Sequence, residues 1–126
     1  MDLPLPCPLS VGWELVRLLE LSRTAADGRP YGGFSAAAYQ ARLDRLWLLS
    51  DAPTGHLVPW GGLAKVLSGV QRELHPGPRL LLRDSNGTPL PPGFDGEGLV
   101  VQGDAAWIVS EGRRTPERRA RLIRIT

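Results

Sequence analysis

Ala106-Trp107-Ile108-Val109-Ser110-Glu111 repeats Leu46-Trp47-Leu48-Leu49-Ser50-Asp51 at a spacing of 60 residues, with Trp on Trp, Ser on Ser and a carboxylate on a carboxylate. Upstream of each copy lies a second matching run, Ser35-Ala36-Ala37-Ala38-Tyr39 against Glu97-Gly98-Leu99-Val100-Val101, at a spacing of 62. Each unit reads as a pair of short strands joined by a polar turn, Gln40 to Arg45 in the first copy and Gln102 to Ala105 in the second. Taken alone, residues 35 to 49 look helical: Ser35 stands at an N-cap, three alanines follow, and Tyr39, Leu43, Leu46 and Trp47 share a helical face. Helix and paired strands are both open for that segment. The second copy favours strands, because Val100, Val101, Ile108 and Val109 are β-branched and Gly98 is a poor helix former.

Working outward, punctuation dominates the chain. It has 126 residues, 15 Gly and 12 Pro, against average usage of about 7% and 5%. The glycines have no collagen period, and 42% apolar content is too high for a disordered tail. Short strands and many turns are the architecture that such a composition supports. The expected fold is mainly β, with partial propeller-like sheets of short antiparallel strands amounting to about two blade equivalents. Residues 1–11, with Pro4, Pro6 and Pro8, read as an extended leader, and 12–126 as one domain. Val11 to Leu21 is apolar without a clear period, and Thr24 to Gly33 is a loop. Leu80-Leu81-Leu82 running into Asp84-Ser85-Asn86-Gly87 is a hairpin signal. Regular pieces are also expected at Gly98 to Val101, Ala106 to Ser110 and Arg121 to Ile125.

Cys7 is the only cysteine, which excludes an intrachain disulfide framework. No apolar run reaches the roughly 18 residues of a membrane span, and Met1-Asp2-Leu3-Pro4 lacks a signal peptide's basic start; a cytoplasmic location is the default expectation. The net charge of +2 conceals an asymmetry. Residues 1–112 carry 9 basic and 12 acidic side chains, whereas 113–126 carry Arg113, Arg114, Arg118, Arg119, Arg121 and Arg124 against one Glu. No aromatic residues interleave with these arginines, so nucleic acid is not an expected partner.

These motifs resemble the phytase-like family, the domain called "esterase-like activity of phytase". Gly32-Gly33-Phe34-Ser35 is similar to that family's Gly-Gly-Leu-Ser opening, followed in order by the strand ending Leu49-Ser50-Asp51. Asp95-Gly96-Glu97-Gly98-Leu99 and Trp107-Ile108-Val109-Ser110-Glu111-Gly112 complete the set. Ala36 stands where the family usually has Gly, and Gly96 where it usually has Pro between the two acids. The family's domain is a longer, several-bladed propeller-like fold, so the resemblance implies its N-terminal part. Open sheet edges in such a piece imply self-association.

The resemblance implies hydrolysis of a small-molecule phosphate ester by acids at strand ends. Asp51, Asp95, Glu97 and Glu111 are the expected catalytic residues and metal ligands, Ca²⁺ being the expected cofactor because all-oxygen donors suit a hard cation. Arg113, Arg114 and Ser35 are the expected substrate contacts. The competing role for such acids is turn capping, and the competing function is a catalytically inactive propeller fragment acting as a binding or assembly module. Ser50 and Ser110 are expected to bond neighbouring backbone, Trp47 and Trp107 to anchor the core, and Trp60 to be exposed near a turn or pocket. Gly33-Phe34-Ser35-Ala36-Ala37 nearly makes a serine-hydrolase elbow, with Asp51 and His56 or His75 in chain order, but no buried strand precedes it. His56 and His75 fall in Gly- and Pro-rich stretches with no second His or Cys at ligand spacing, which argues against zinc.

Overall fold

In the computed structural model, the described residues are 14–51, 54–91, 93–112 and 119–126. The leader 1–11, Cys7, Arg113, Arg114 and Arg118 lie outside them. The chain forms two antiparallel sheets of short strands, as the punctuation requires. The first contains β1 (Phe34–Gln40), β2 (Arg45–Ser50), β3 (His56–Gly61), β4 (His75–Pro76) and β5 (Leu80–Leu81); the last two both pair with β3. The second is the meander β6 (Gly96–Gln102), β7 (Ala105–Ser110) and β8 (Arg121–Ile125). One short helix, α1 (Leu63–Leu67), follows β3, and no helix among the described residues is long and apolar enough to cross a membrane.

Residues 35 to 49 are strands. Their alanines serve packing: Ala36 and Ala38 pair with Leu49 and Trp47 and face the second sheet, where small side chains let β1 lie against β6. Tertiary burial thus overrides the helix propensity of this segment. The structure repeats in register. The row Ala37, Leu48, Val58 in the first sheet matches Leu99, Ile108, Ile123 in the second, and Ala36, Leu49, Leu57 matches Gly98, Val109, Leu122. The repeating unit is therefore three strands rather than two.

The sheets stack in the same sense. Leu49 and Leu57 of the first sheet meet Leu99, Ala106 and Ile108 of the second, with Leu82 and Phe94, in one core cluster. The opposite face of the first sheet, Leu48, Val58 and Trp60, is covered by Tyr31, Val66 of α1, Leu74 and the partly buried Leu19, Leu21 and Ala25. Trp60 is accordingly buried at 2% exposure, which corrects its expected exposure: alternation along β3 turns it inward. Trp47 is half-buried and packs against this core from its edge, as expected, whereas Trp107 points to the outer face of the second sheet and does not. Each lies under a guanidinium, Arg45 at 5.6 Å and Arg124 at 6.0 Å.

His56 and His75 occupy β3 and β4, not loops. The strand was hidden by Pro59, whose missing N–H is tolerated because β5 pairs with residues 56 and 57 and β4 with residues 60 and 61, so that at residue 59 this edge uses only the carbonyl, which accepts from the Gly77 N–H (2.6 Å). After β5 the expected tight turn forms. Asp84 Oδ1 accepts from the backbone N–H of Asn86 (2.9 Å) and Thr88 (3.0 Å), and Gly87 adopts φ +78°.

Candidate functional site

Both sheets carry a β-bulge at the same place. The β1–β2 register shifts between Phe34 and Ala36, and the β6–β7 register between Gly96 and Gly98. The extra residues are Ser35 and Glu97, which are equivalent in the repeat. A bulge re-aims the unpaired side chain. Here it sets Ser35 beside the end of β2, where Asp51 follows Ser50, and Glu97 beside the end of β7, where Glu111 follows Ser110. Because β1 and β6 lie against each other, the two ends meet.

Asp95, Glu97 and Glu111 each bring a carboxylate oxygen within 4.8 Å of the others. The Glu111 N–H donates to the Asp95 carbonyl (3.1 Å), which fixes the backbone around the group. The Ser35 hydroxyl donates to Asp51 Oδ1 over a long 3.5 Å, and Asp51 lies close enough to act on Glu97 electrostatically. Glu97 is held above the ordinary carboxylate range, first by desolvation and then by the negative charges of Asp95, Glu111 and Asp51. Gly96, between the two acids, lies close on the core: a Cβ there would stand 2.9 Å from Leu49 Cδ2 and from Phe94 Cε1, and those side chains would have to shift. The bulge thus lies directly on the core.

The four acids and Ser35 named from the sequence are brought to one end of the stacked sheets; Arg113 and Arg114 lie outside the described residues. Arg119 and Arg121, part of the basic C-terminal run but not among the expected substrate contacts, line a cavity of about 190 Å³ together with Ser110 and Gly112, the two neighbours of Glu111. The pairing of Arg121 with Ser110 places that arginine, and the run of β-branched residues after it was the available signal. The larger cavity, about 650 Å³ and lined by Trp47, Leu57, Leu81, Ala106 and Arg124, lies at the other end of the sheets. There Gln40 donates across to the Gly103 carbonyl (2.8 Å), far from the acids.

Among the described residues no serine-hydrolase triad assembles. Ser35 stands on a bulge within a strand rather than at a strand-to-helix elbow, and His56 Nδ1 lies 2.7 Å from the Thr54 carbonyl. The His56 ring is buried, and its pKa is lowered chiefly by that burial. Ser110 accepts from the Gly112 N–H (3.4 Å), the local backbone contact expected of it.

Among the comparisons with known proteins, the family model described as "Phytase-like: Esterase-like activity of phytase" matches residues 29–126. No curated protein and no solved structure matches the chain.

Proposed function

Since the chain belongs to the phytase-like family across residues 29–126, we propose that it is a phosphoric ester hydrolase working at the shared acidic end of its two sheets. The observation that carries this reading is the convergence of Asp95, Glu97 and Glu111 within 4.8 Å, with Asp51 beside them. The donor set fits a hard cation, being all oxygen. Ca²⁺ is the cation we propose, because its flexible, high-number oxygen coordination suits several carboxylates completed by water. Mutual repulsion among the carboxylates is the other supporting feature, because a bound dication would relieve it.

Bound there, the cation would polarise a phosphoryl oxygen and acidify a water molecule. The chain's own groups supply the rest. Glu97, the bulge residue among the carboxylates, is the group we assign to take a proton from the attacking water. Ser35 steadies Asp51, and Arg119 and Arg121, with Arg113 and Arg114 nearby in sequence, offer the positive charge to receive the phosphate of a small ester.

The test is a calcium titration read by thermal unfolding, together with hydrolysis of chromogenic phosphomonoester and phosphodiester substrates. A calcium-dependent rise in Tm and calcium-dependent turnover are expected. No response in either would remove the catalytic reading. The second reading, an inactive propeller fragment serving as a binding or assembly module, is favoured by one observation: an outer face of the second sheet that nothing described covers, with Val100, Val109 and Leu122 at 60%, 46% and 65% exposure.

A further inference from the structure

We propose that residues 22–31, which lie over the outer face of the first sheet, form an acid-sensitive latch released by a second proton on His56. Alternation along β3 turns His56 to that face: Val58 and Trp60, two and four residues on, belong to the cluster under Tyr31, whereas Leu57 belongs to the cluster between the sheets. The imidazole is fully buried. Its Nδ1 lies 2.7 Å from the Thr54 carbonyl, which can only accept, so Nδ1 carries the proton of the neutral ring and Nε2 is left as an acceptor. Among the described residues nothing hydrogen-bonds to Nε2.

A second proton meets a poor place. Arg79, its side chain only 13% exposed, acts on both the His56 ring and the Tyr31 hydroxyl, so β3 and the latch share one guanidinium. Opposite His56 stand Ser50 of β2 and Leu81 of β5, both uncharged, and the latch brings Tyr31 and Asp27 to Arg79. Asp51, the acid that acts on the ring, pulls less than Arg79 pushes. Charging the ring therefore sets an N–H without an acceptor in the interior and a cation near a largely buried guanidinium. Both favour a form in which the ring reaches water.

The latch is the side that can give. Among the described residues its backbone hydrogen bonds close within it: the Ala25 N–H donates to Arg29, the Gly28 N–H to Ala25 and the Tyr31 N–H to Arg23. What ties it to the sheet is the packing of Ala25 and of Tyr31 on Trp60, ring centroids 5.8 Å apart, together with the 4.0 Å pair of Asp27 and Arg79. The Tyr31 hydroxyl is buried there with no partner among the described residues, which weakens the contact. Swinging away leaves the latch's own bonds intact, and Gly32-Gly33 follows it as a hinge. β3 is fixed by comparison, since His56 pairs with Ser50 on one edge and Leu81 on the other. The closed form binds the proton less well than the open one, so opening grows as pH falls below the open form's value, about 6.5.

The test is hydroxyl-radical footprinting of the 126-residue chain at about pH 7.5 and about pH 5, on either side of the histidine value, with oxidation of each side chain read by mass spectrometry. Tyr31 and Trp60 are expected to gain ~3-fold or more in oxidation at the lower pH, while Phe94, in the cluster between the sheets, stays as it was. His56→Gln is expected to remove the gain. Asp27→Asn, at a half-exposed position on the latch, is expected to loosen the tether and move the midpoint of opening to higher pH, and this variant decides if the buried substitution fails to fold. Equal oxidation of Tyr31 and Trp60 at the two pH values overturns the proposal. So does a gain shared by Phe94, which would be loss of the whole fold, a gain that persists in His56→Gln, or a midpoint unmoved in Asp27→Asn.

Discussion

The two sheets share a register and differ in what covers them. At equivalent places, Leu49 is fully buried and Val109 is 46% exposed, while Leu57 is buried and Leu122 is 65% exposed. The first sheet receives the second on one face and α1 with residues 14–31 on the other; the second sheet receives only the first. One strand pattern therefore yields a core layer or a surface layer according to its neighbours. That is the sense in which β propensity is a property of context.

The largest effect should come from truncating the matched pair. Leu49→Ala is expected to cost ~2–5 kcal/mol, because the side chain meets Leu57, Leu82, Phe94 and Ile108 in a cluster with no room to collapse freely. Val109→Ala, its counterpart, is expected to stay below about 0.5 kcal/mol in dilute solution. Urea unfolding of the two variants measures the difference. Equal losses would mean that the second sheet's outer face is covered even in the monomer.

The two bulges sharpen the comparison chemically. Glu97→Gln is expected to weaken any calcium response ~10-fold or more, and Ser35→Ala, at the equivalent bulge, only a few-fold, because Glu97 stands among the carboxylates whereas Ser35 touches only Asp51. Without calcium the sign reverses. The Glu97 pKa is raised on folding, so its contribution to stability is present below the unfolded carboxylate pKa and is lost as pH rises through the folded value. At neutral pH all four acids repel one another, and Glu97→Gln is expected to raise the calcium-free Tm while lowering the calcium-induced gain. Thermal scans with calcium and with a chelator read both; a fall in both would mean that Glu97 is a structural cap.

Much of this was legible because apolar alternation and the Trp-to-carboxylate spacing survive in both copies. The strands β6 and β7, the Asn86-Gly87 turn and the acids at strand ends follow from residue type, whereas β1 and β2 follow only from their match to the second copy. The third strand of the first sheet was not legible, because Pro59 and Gly61 signal a loop unless one knows that the edge facing β4 and β5 asks only for the Pro59 carbonyl and not for an N–H. Trp60 was misplaced for the same reason. The bulges leave no composition signal: Ser35 and Glu97 share only their position, and a bulge is defined by pairing with a partner strand. Nothing in the basic C-terminal run sets Arg119 and Arg121 apart by residue type; the pairing of β8 with Ser110 is what brings Arg121 next to Glu111, and both arginines line the cavity there.

The third strands supply a pH contrast of intermediate size. His56 in β3 is equivalent to Arg121 in β8, each paired with the serine before the terminal acid. The His56 pKa is depressed by burial, and the nearby Arg79 lowers it further, against the opposing pull of the Thr54 carbonyl and Asp51. A base with a depressed folded pKa gives stability that is present above its unfolded value, about 6.5, and lost as pH falls through the folded value. Tm is expected to decline as pH drops below that point and to decline less in His56→Gln. A parallel pH dependence in the variant would assign the acid lability to another group.

The smallest effect tests how each sheet shields its repeated tryptophan. Arg45 reaches Trp47 from two residues back on the same strand, whereas Arg124 reaches Trp107 from the neighbouring strand, where the first sheet has Pro59. The same cover is built from unrelated positions, which is expected if the half-buried indole face is what favours a cation there. At 5.6 Å and 6.0 Å, and near solvent, each contact is worth ~0.5–1 kcal/mol at most. Arg45→Gln and Arg124→Gln are therefore expected to lower stability by similar small amounts in dilute protein, measured by urea midpoint. A loss above about 2 kcal/mol in either variant would mean that its arginine holds the sheet by more than the indole face.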